Sequence, residues 1–230
     1  MKLQYLGHSA IRLEDGSFTL LIDPFLTGSG TAPMDWEKAA KDVTHVALTH
    51  GHSDHVGDTV AIAKANAIPV VAIVELARWL NRRGVNDTIE ANFGGTLVLG
   101  HGVSVTLVPA WHTSASDEGE YLGEPAGLVI TMGNSTIYHA GDTAIFGDMA
   151  LIEELYKPDV VLLPIGGTYT MDAKTAAIAA EKYFKTAKIV PLHYATFPVL
   201  APDCEHFVAE CERRNVDVVP LKPGEVMTLA

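Results

Sequence analysis

Short apolar or alternating runs separated by turn residues dominate the first 140 positions of the chain. These runs predict strands over 3–6, 10–14, 18–23, 43–49, 69–74, 96–99, 103–109, 127–132 and 135–140. Helical patterns interrupt them over 56–66, with Gly57 and Asp58 at the start, and over 75–83, where Gly84 follows. Turn signals at 100–102 and 133–134 predict that the later strands form an antiparallel meander.

Helices and strands alternate beyond position 148. The pattern predicts helices over 151–156, 172–184 and 203–215, and strands over 160–164, 188–192, 216–220 and 226–229. Meanders with interspersed helices, repeated in both halves, fit two mixed sheets packed together with helices outside. No linker rich in Ser, Gly or Pro divides the chain, so we expect one α/β domain over residues 1–230.

Composition and charge narrow the class of protein. The 230 residues are 48% hydrophobic and 19% charged, which is typical of a globular domain with a sizeable core. No apolar run approaches the ~20 residues that cross a bilayer, and the N-terminus shows no leader pattern, so we expect a cytoplasmic location. A net charge of −12 with dispersed acidic groups disfavours nucleic acid as a partner. No basic amphipathic segment suggests a membrane partner. We therefore expect a small-molecule substrate, and a homo-oligomer is compatible with the sequence.

The candidate chemistry is concentrated directly after the apolar strand over 43–49. The string THGHSDH contains four ligand-type side chains, those of His50, His52, Asp54 and His55. A glycine and a serine break the string and suit a loop, in which the first two histidines would face one point and the other pair a neighbouring one. Imidazole with carboxylate suits zinc, iron, manganese or nickel. The string therefore predicts a metal site.

Further ligands are expected at the ends of other strands. His112 follows the strand over 103–109, Asp142 follows 135–140, and His193 follows 188–192. Loops that carry function gather at such positions. Each residue alone has an ordinary structural explanation, but together the three complete a set large enough for two sites.

The order of these residues resembles the metallo-β-lactamase superfamily, whose pattern is His-x-His-x-Asp-His, then His, Asp and His. Asp23, after the strand over 18–23, also looks like the early aspartate of that superfamily. The segments YLGHS at 5–9, YHAGDT at 138–143 and PLHYATFP at 191–198 are similar to the UPF0173 group of metal-dependent hydrolases. This group is related to ascorbate-6-phosphate lactonases and N-acyl-phosphatidylethanolamine phospholipases D. The resemblance covers essentially the whole chain and implies a four-layer αββα fold, with two mixed β-sheets flanked by helices.

The resemblance implies two divalent ions held by seven side chains. One ion would be held by His50, His52 and His112. The other would be held by Asp54, His55 and His193, with Asp142 bridging both. A hydroxide between the ions would be the nucleophile, with Asp54 and His193 as the catalytic residues, Asp54 orienting the hydroxide. Asp23 would accept an N–H from a ligand histidine and so fix its tautomer. Zn²⁺ is the first expectation, and Mn²⁺, Fe²⁺ or Ni²⁺ suits the same donors.

Three more residues in the family-like segments are candidates for contact with the substrate. His8 would either line the mouth of the site or pack in a hairpin. Tyr194 and Thr196 would either contact the substrate, by binding it or by donating a proton, or serve the loop structure. His139 is expected to pack, and Asp172 to cap the helix that follows it.

Departures from other branches of the superfamily narrow the function. Residue 142 is aspartate where the commonest zinc β-lactamases have cysteine, and residue 52 is histidine where flavin-linked diiron oxygen reductases have glutamate. The 51 positions from Asp142 to His193 leave no room for the inserted domain of RNA-processing nucleases. We therefore expect a di-metal hydrolase of a small ester, lactone or phosphodiester. The alternative is a metal-binding sensing or interaction module without turnover, which the intact ligand set disfavours.

Overall fold

The computed structural model describes residues 1–229 and arranges their strands in two mixed sheets. The first sheet has seven strands in the order β13-β1-β2-β3-β4-β5-β6, and the second has six in the order β12-β11-β10-β9-β8-β7. The strands of the first sheet are β1 (Lys2–Tyr5), β2 (Ile11–Asp15), β3 (Phe18–Ile22), β4 (His45–Ala47), β5 (Val70–Ile73), β6 (Thr88–Ala91) and β13 (Val226–Thr228). Those of the second are β7 (Thr96–Gly100), β8 (Val103–Pro109), β9 (Ala126–Met132), β10 (Ser135–His139), β11 (Val160–Pro164) and β12 (Lys188–Leu192).

Helices flank these sheets, as predicted for this class of fold. They are α1 (Trp36–Ala39), α2 (Ser53–Val56), α3 (Thr59–Asn66), α4 (Val74–Arg82), α5 (Met149–Tyr156), α6 (Ala173–Tyr183) and α7 (Glu205–Arg213). Helix α6 buries an alanine-rich face, and the small side chains of that face suit close packing. Asp172 caps this helix as predicted, since its carboxylate accepts a hydrogen bond from the Thr175 amide. Within residues 1–229, no helix has the length and apolar character needed to cross a membrane.

Strand direction decides where the loops of the two sheets gather. In the first sheet β1 and β3 run the same way, because each is antiparallel to β2, and β4 and β5 continue parallel to β3. In the second sheet β8 and β10 are both antiparallel to β9, and β11 and β12 are parallel to β10. The C-terminal ends of β1, β3, β4, β8, β10 and β12 therefore supply one cluster of loops.

The long apolar strands are buried because both of their faces are covered. Every residue of β11 and of β3 is buried, which explains their continuous apolar composition. The largest fully buried side chains include Tyr5, Phe18 and Tyr138. Burial of these apolar surfaces is the main favourable contribution to folding.

Two predicted elements differ from the structure, and two observed elements were not predicted. The predicted strand over 216–220 is reduced to an isolated parallel bridge between Ile189 and Val218, and Pro220 has no N–H to extend the pairing. The predicted helix over 56–66 is divided at Gly57, which has φ 43° and lies where a Cβ would collide with the Pro24 carbonyl oxygen. Helix α1 and strand β6 were not predicted, because each has only four residues and β6 lies at the sheet edge with little burial.

Candidate metal centre

The histidine-rich loop leaves β4 and is held against both sheets. The Thr49 amide and hydroxyl donate to the two carboxylate oxygens of Asp23, at 2.9 and 2.6 Å. The Gly51 amide donates to Ser114 Oγ at 3.1 Å, and a Cβ at Gly51 would collide with the buried Leu122 side chain. Glycine is required at this position by close packing.

The first cluster consists of His50, His52 and His112, which lie at the ends of strands in opposite sheets. One ring nitrogen from each residue lies within 4.8 Å of the others, and His50 Nε2 is 3.0 Å from His52 Nδ1. Burial lowers the pKa of all three rings, that of His50 most strongly. The rings are therefore neutral near pH 7, which is the form that binds a metal.

The second cluster contains Asp54, His55 and His193, together with His8. One donor atom from each lies within 4.8 Å of the others. Asp142 lies between this cluster and the first one: its carboxylate is 3.3 Å from His55 Nε2, 3.0 Å from His193 Nε2 and 3.6 Å from His112 Nε2. The structure thus brings all seven predicted ligands together and places the carboxylate expected to bridge at their centre.

Several buried polar atoms at this point have no hydrogen-bond partner. They are His55 Nε2, His193 Nε2 and Asp142 Oδ1, with His193 Nδ1 alongside. An unsatisfied buried polar atom costs about 1–3 kcal/mol, so such a concentration needs an explanation. Imidazoles and carboxylates that converge in this way are the donors that divalent metals bind, once the rings have released their protons. The residues present therefore fit a metal centre.

The histidines of the two clusters fall into two groups, those whose pKa is lowered and those whose pKa is raised. Burial opposes the charged form of His55, but Asp142 and Asp23 raise its pKa well above the usual value. In the same way Asp142 overcomes burial and raises the pKa of His193 to about 9. Despite burial, these cationic rings hold the pKa of Asp142 well below its ordinary range. Metal binding at these two rings must therefore displace protons.

Asp23 lies where the sequence predicted it, beneath a candidate ligand. Its Oδ2 accepts a hydrogen bond from His55 Nδ1 at 2.8 Å, and the carboxylate is fully buried. This contact directs His55 Nε2 toward Asp142. A carboxylate in this position fixes the ring orientation and strengthens the ligand as a base.

His8 lies beside the cluster and is fully buried, which fits the expected alternative of packing in a hairpin and not a position at the mouth of the site. Burial lowers its pKa to about 4, so the ring is neutral. Its Nε2–H donates to Asp54 Oδ2 at 3.1 Å, and Nδ1 lies 2.9 Å from the Thr196 hydroxyl. The His8 carbonyl accepts the His193 amide at 2.8 Å. His8 thus contacts two ligand candidates, Asp54 and His193, and Thr196 contacts His8.

The Tyr194 ring lies away from the cluster, which fits the expected alternative of a role in the loop structure. Its ring stacks on Tyr5 with centroids 6.4 Å apart, and it lines a different cavity with Cys204. His139 packs as predicted: Nε2 is 2.9 Å from the Ser9 carbonyl, and Nδ1 accepts the Gly141 amide. His139 thereby anchors the loop that carries Asp142.

A cavity of about 480 Å³ opens over the metal-ligand candidates. Besides five of the ligand candidates it is lined by Ser53, Thr113, Asp117, Tyr169 and Phe197. The sequence reasoning missed these five. Tyr169 and Phe197 were detectable as aromatic residues in loops that follow β11 and β12, but Thr113 and Asp117 carry no local signal.

Comparisons with known proteins identify the family and the fold of this chain. The family model described as a β-lactamase superfamily domain matches residues 19–194. A UPF0173 metal-dependent hydrolase of Brucella abortus (strain S19) is 46% identical over 215 residues, which cover 91% of this chain and 90% of that protein. The solved structure of Igni18, described as a novel metallo hydrolase from Ignicoccus hospitalis, superposes with a TM-score of 0.90 at 36% identity, covering 100% of this chain and 98% of that one. A metallo-β-lactamase fold protein of Bacillus subtilis has a TM-score of 0.75 at 17% identity, covers 98% of both chains and shows the shared fold.

Proposed function

Because this chain belongs to the metallo-β-lactamase superfamily, as a metal-dependent hydrolase of the UPF0173 group, we propose that it uses two divalent ions to hydrolyse a small ester, lactone or phosphodiester. The observation that carries this proposal is the position of Asp142. Its two carboxylate oxygens lie between donors of both histidine clusters, and one of them has no hydrogen-bond partner. A carboxylate shared in this way suits two neighbouring ions better than one.

The proposed ligands divide into two sets around this carboxylate. The sets are His50, His52 and His112 for one ion, and Asp54, His55 and His193 for the other. Together with the shared Asp142 carboxylate, each set combines imidazole nitrogen with carboxylate oxygen, which suits Zn²⁺ first and also Mn²⁺, Fe²⁺ or Ni²⁺. When bound, the ions polarise the substrate oxygen and lower the pKa of the attacking water toward ~7.

The protein itself supplies orientation at the proposed site. Asp54 is 24% exposed toward the cavity, so its carboxylate can accept a hydrogen bond from the attacking water. His8 Nε2 lies 3.1 Å from that carboxylate and His193 Nε2 lies 3.8 Å from it, so both rings help to hold it in place. Positioning of this kind contributes to catalysis without changing the nucleophile.

The decisive experiment combines metal counting with turnover. The protein is loaded with zinc or manganese and assayed on p-nitrophenyl esters, five- and six-membered lactones and bis-p-nitrophenyl phosphate. We expect two ions per chain and turnover of at least one class, lost in Asp54→Asn. Asp58→Asn is the matched control, since its carboxylate caps only the Leu26 and Thr27 amides.

Three outcomes of this experiment would change the proposal. One ion per chain would contradict the two-ion centre, and absence of bound metal would contradict the whole site. Two ions with no turnover would favour a metal-dependent binding module. We also propose that residues 1–230 act as one domain, because β13 pairs with β1 and thereby joins the two ends of the chain in one sheet.

A further inference from the structure

A second cavity adjoins the one over the metal-ligand candidates. It has a volume of about 570 Å³ and shares His112 and Thr113 with the first cavity. Its wall continues along the end of β8 to Phe93 and Trp111. We call it the Trp111 groove. A molecule bound at the metal centre can therefore extend past Thr113 into this groove.

Trp111 is exposed although its backbone is fixed. The side chain is 69% exposed. The Trp111 amide donates to the Thr143 hydroxyl at 3.0 Å, and its carbonyl accepts the Ala144 amide at 3.0 Å. These bonds tie the Trp111 backbone to the loop that begins at Asp142. A solvent-exposed indole on an anchored backbone beside a proposed active site is well suited to pack against a ligand.

Apart from the metal-ligand candidates, the charged side chains that line both cavities are acidic. Asp117 lines the first cavity and Glu124 lines the Trp111 groove, whereas no Lys or Arg lines either one among the described residues. Arg83 lines a separate cavity that shares Asp117, but its guanidinium stacks on Trp79 and faces Glu118. A phosphate or carboxylate arm that extends beyond the metal-ligand candidates would therefore meet carboxylates and no Lys or Arg partner.

We propose that the substrate is a carboxylic ester or lactone with an uncharged, apolar arm that lies in the Trp111 groove. This inference rests on the proposed hydrolase function and names the substrate class of that same site. In the reaction, water adds to the acyl carbon, the acyl carbon–oxygen bond breaks, and the departing oxygen takes a proton. The products are a carboxylic acid and an alcohol, or one hydroxy acid from a lactone.

Substrates of matched chain length test whether the protein prefers an uncharged, apolar arm. The metal-loaded protein is assayed with p-nitrophenyl acetate, p-nitrophenyl hexanoate, the p-nitrophenyl monoester of adipic acid and bis-p-nitrophenyl phosphate. The hexanoate and adipate esters share chain length and differ by a terminal charge. We expect kcat/KM for the hexanoate to exceed that for the acetate and that for the adipate by about tenfold each, the discrimination that a few apolar contacts supply. The phosphodiester should be the poorest substrate.

Variants of Trp111 test whether the preference for the hexanoate ester arises in the Trp111 groove. Trp111→Ala should reduce the hexanoate-to-acetate ratio to near one, and Trp111→Phe should retain most of it. Leu155→Ala is the matched control, because Leu155 is 68% exposed and lies on α5, whose residues line neither cavity. The side chain of Trp111 is outside the core, so its removal leaves folding intact.

Two kinds of failure are distinguishable. Metal-dependent turnover that prefers the acetate, the adipate ester or the phosphodiester, or an unchanged ratio in Trp111→Ala, would overturn the inference and leave the hydrolase standing. Absence of metal-dependent turnover on every substrate would overturn the proposed function and the inference together.

Discussion

Replacement of Asp23 by asparagine tests whether the centre depends on the hydrogen bonds beneath it. In the native protein Oδ1 accepts the Thr49 amide, and Oδ2 accepts both the Thr49 hydroxyl and His55 Nδ1–H. Asparagine has one acceptor oxygen and one amide that only donates. Since the side chain is fully buried, water cannot compensate for a mismatch.

Either orientation of the new amide has a cost. If its nitrogen faces His55, that ring must carry its proton on Nε2, the atom that faces Asp142. Metal affinity should then fall by about 10–100-fold, or about 1.4–2.8 kcal/mol. If its nitrogen instead faces the Thr49 amide, two donors oppose each other, and the metal-free protein should lose about 1–3 kcal/mol of unfolding free energy.

A chelator-competition titration and urea unfolding of the metal-free protein together measure both costs. Asp58→Asn serves as the control, because this carboxylate likewise accepts hydrogen bonds from the backbone, from the Leu26 and Thr27 amides, but has no histidine among these partners. The reasoning would be refuted by an Asp23→Asn protein that binds zinc as tightly as the parent and unfolds at the same urea concentration.

Three further predictions concern the support and the protonation of the same centre. In Gly166→Ala the new Cβ would collide with the His193 carbonyl, so we expect a loss of about 1–3 kcal/mol in urea unfolding together with weaker metal binding; unchanged values would show that the loop moves freely. In the metal-free protein Asp142 raises the pKa of His193 to about 9 against the effect of burial, and Asp142 and Asp23 raise that of His55 well above its usual value, so a metal must displace a proton from each ring. Zinc affinity, measured by buffered titration, should therefore rise between about pH 7 and about pH 8 by about tenfold per pH unit for each proton displaced, and a flat profile would contradict the assignment. His8→Ala removes the donor to Asp54, and zinc affinity in the same titration should fall about tenfold, whereas His8→Gln should retain part of it.

Repeating local patterns explain why much of the fold was predictable. The strands over 103–109, 160–164 and 188–192 were predicted with the observed bounds, because each is an apolar run ended by turn or polar residues. The family and the two mixed sheets flanked by helices are confirmed by the comparisons and the structure. Four-residue elements such as α1 and β6 were missed because their formation depends on neighbouring elements and not on local pattern.

The proposed ligands could be predicted from the sequence for a related reason. His50, His52, Asp54 and His55 stand together in one string, and the other three each follow an apolar strand. Residue type and spacing therefore identified them before any geometry was known. Their roles as ligands stay a prediction, which metal counting will test.

The roles of His8, Tyr194 and Trp111 were decided by tertiary structure alone. His8 follows β1, and β1 runs parallel to β3 only because β2 lies antiparallel between them, which brings His8 beneath Asp54. Tyr194 adjoins His193 in sequence, yet its ring stacks on Tyr5 away from the cavity. The Trp111 groove also exists only where loops of separate strands meet. Local pattern fixes which residues can bind a metal, because that property belongs to each side chain. Which residues support and surround the centre depends on sheet order and loop packing, which arise from contacts between residues far apart in the chain.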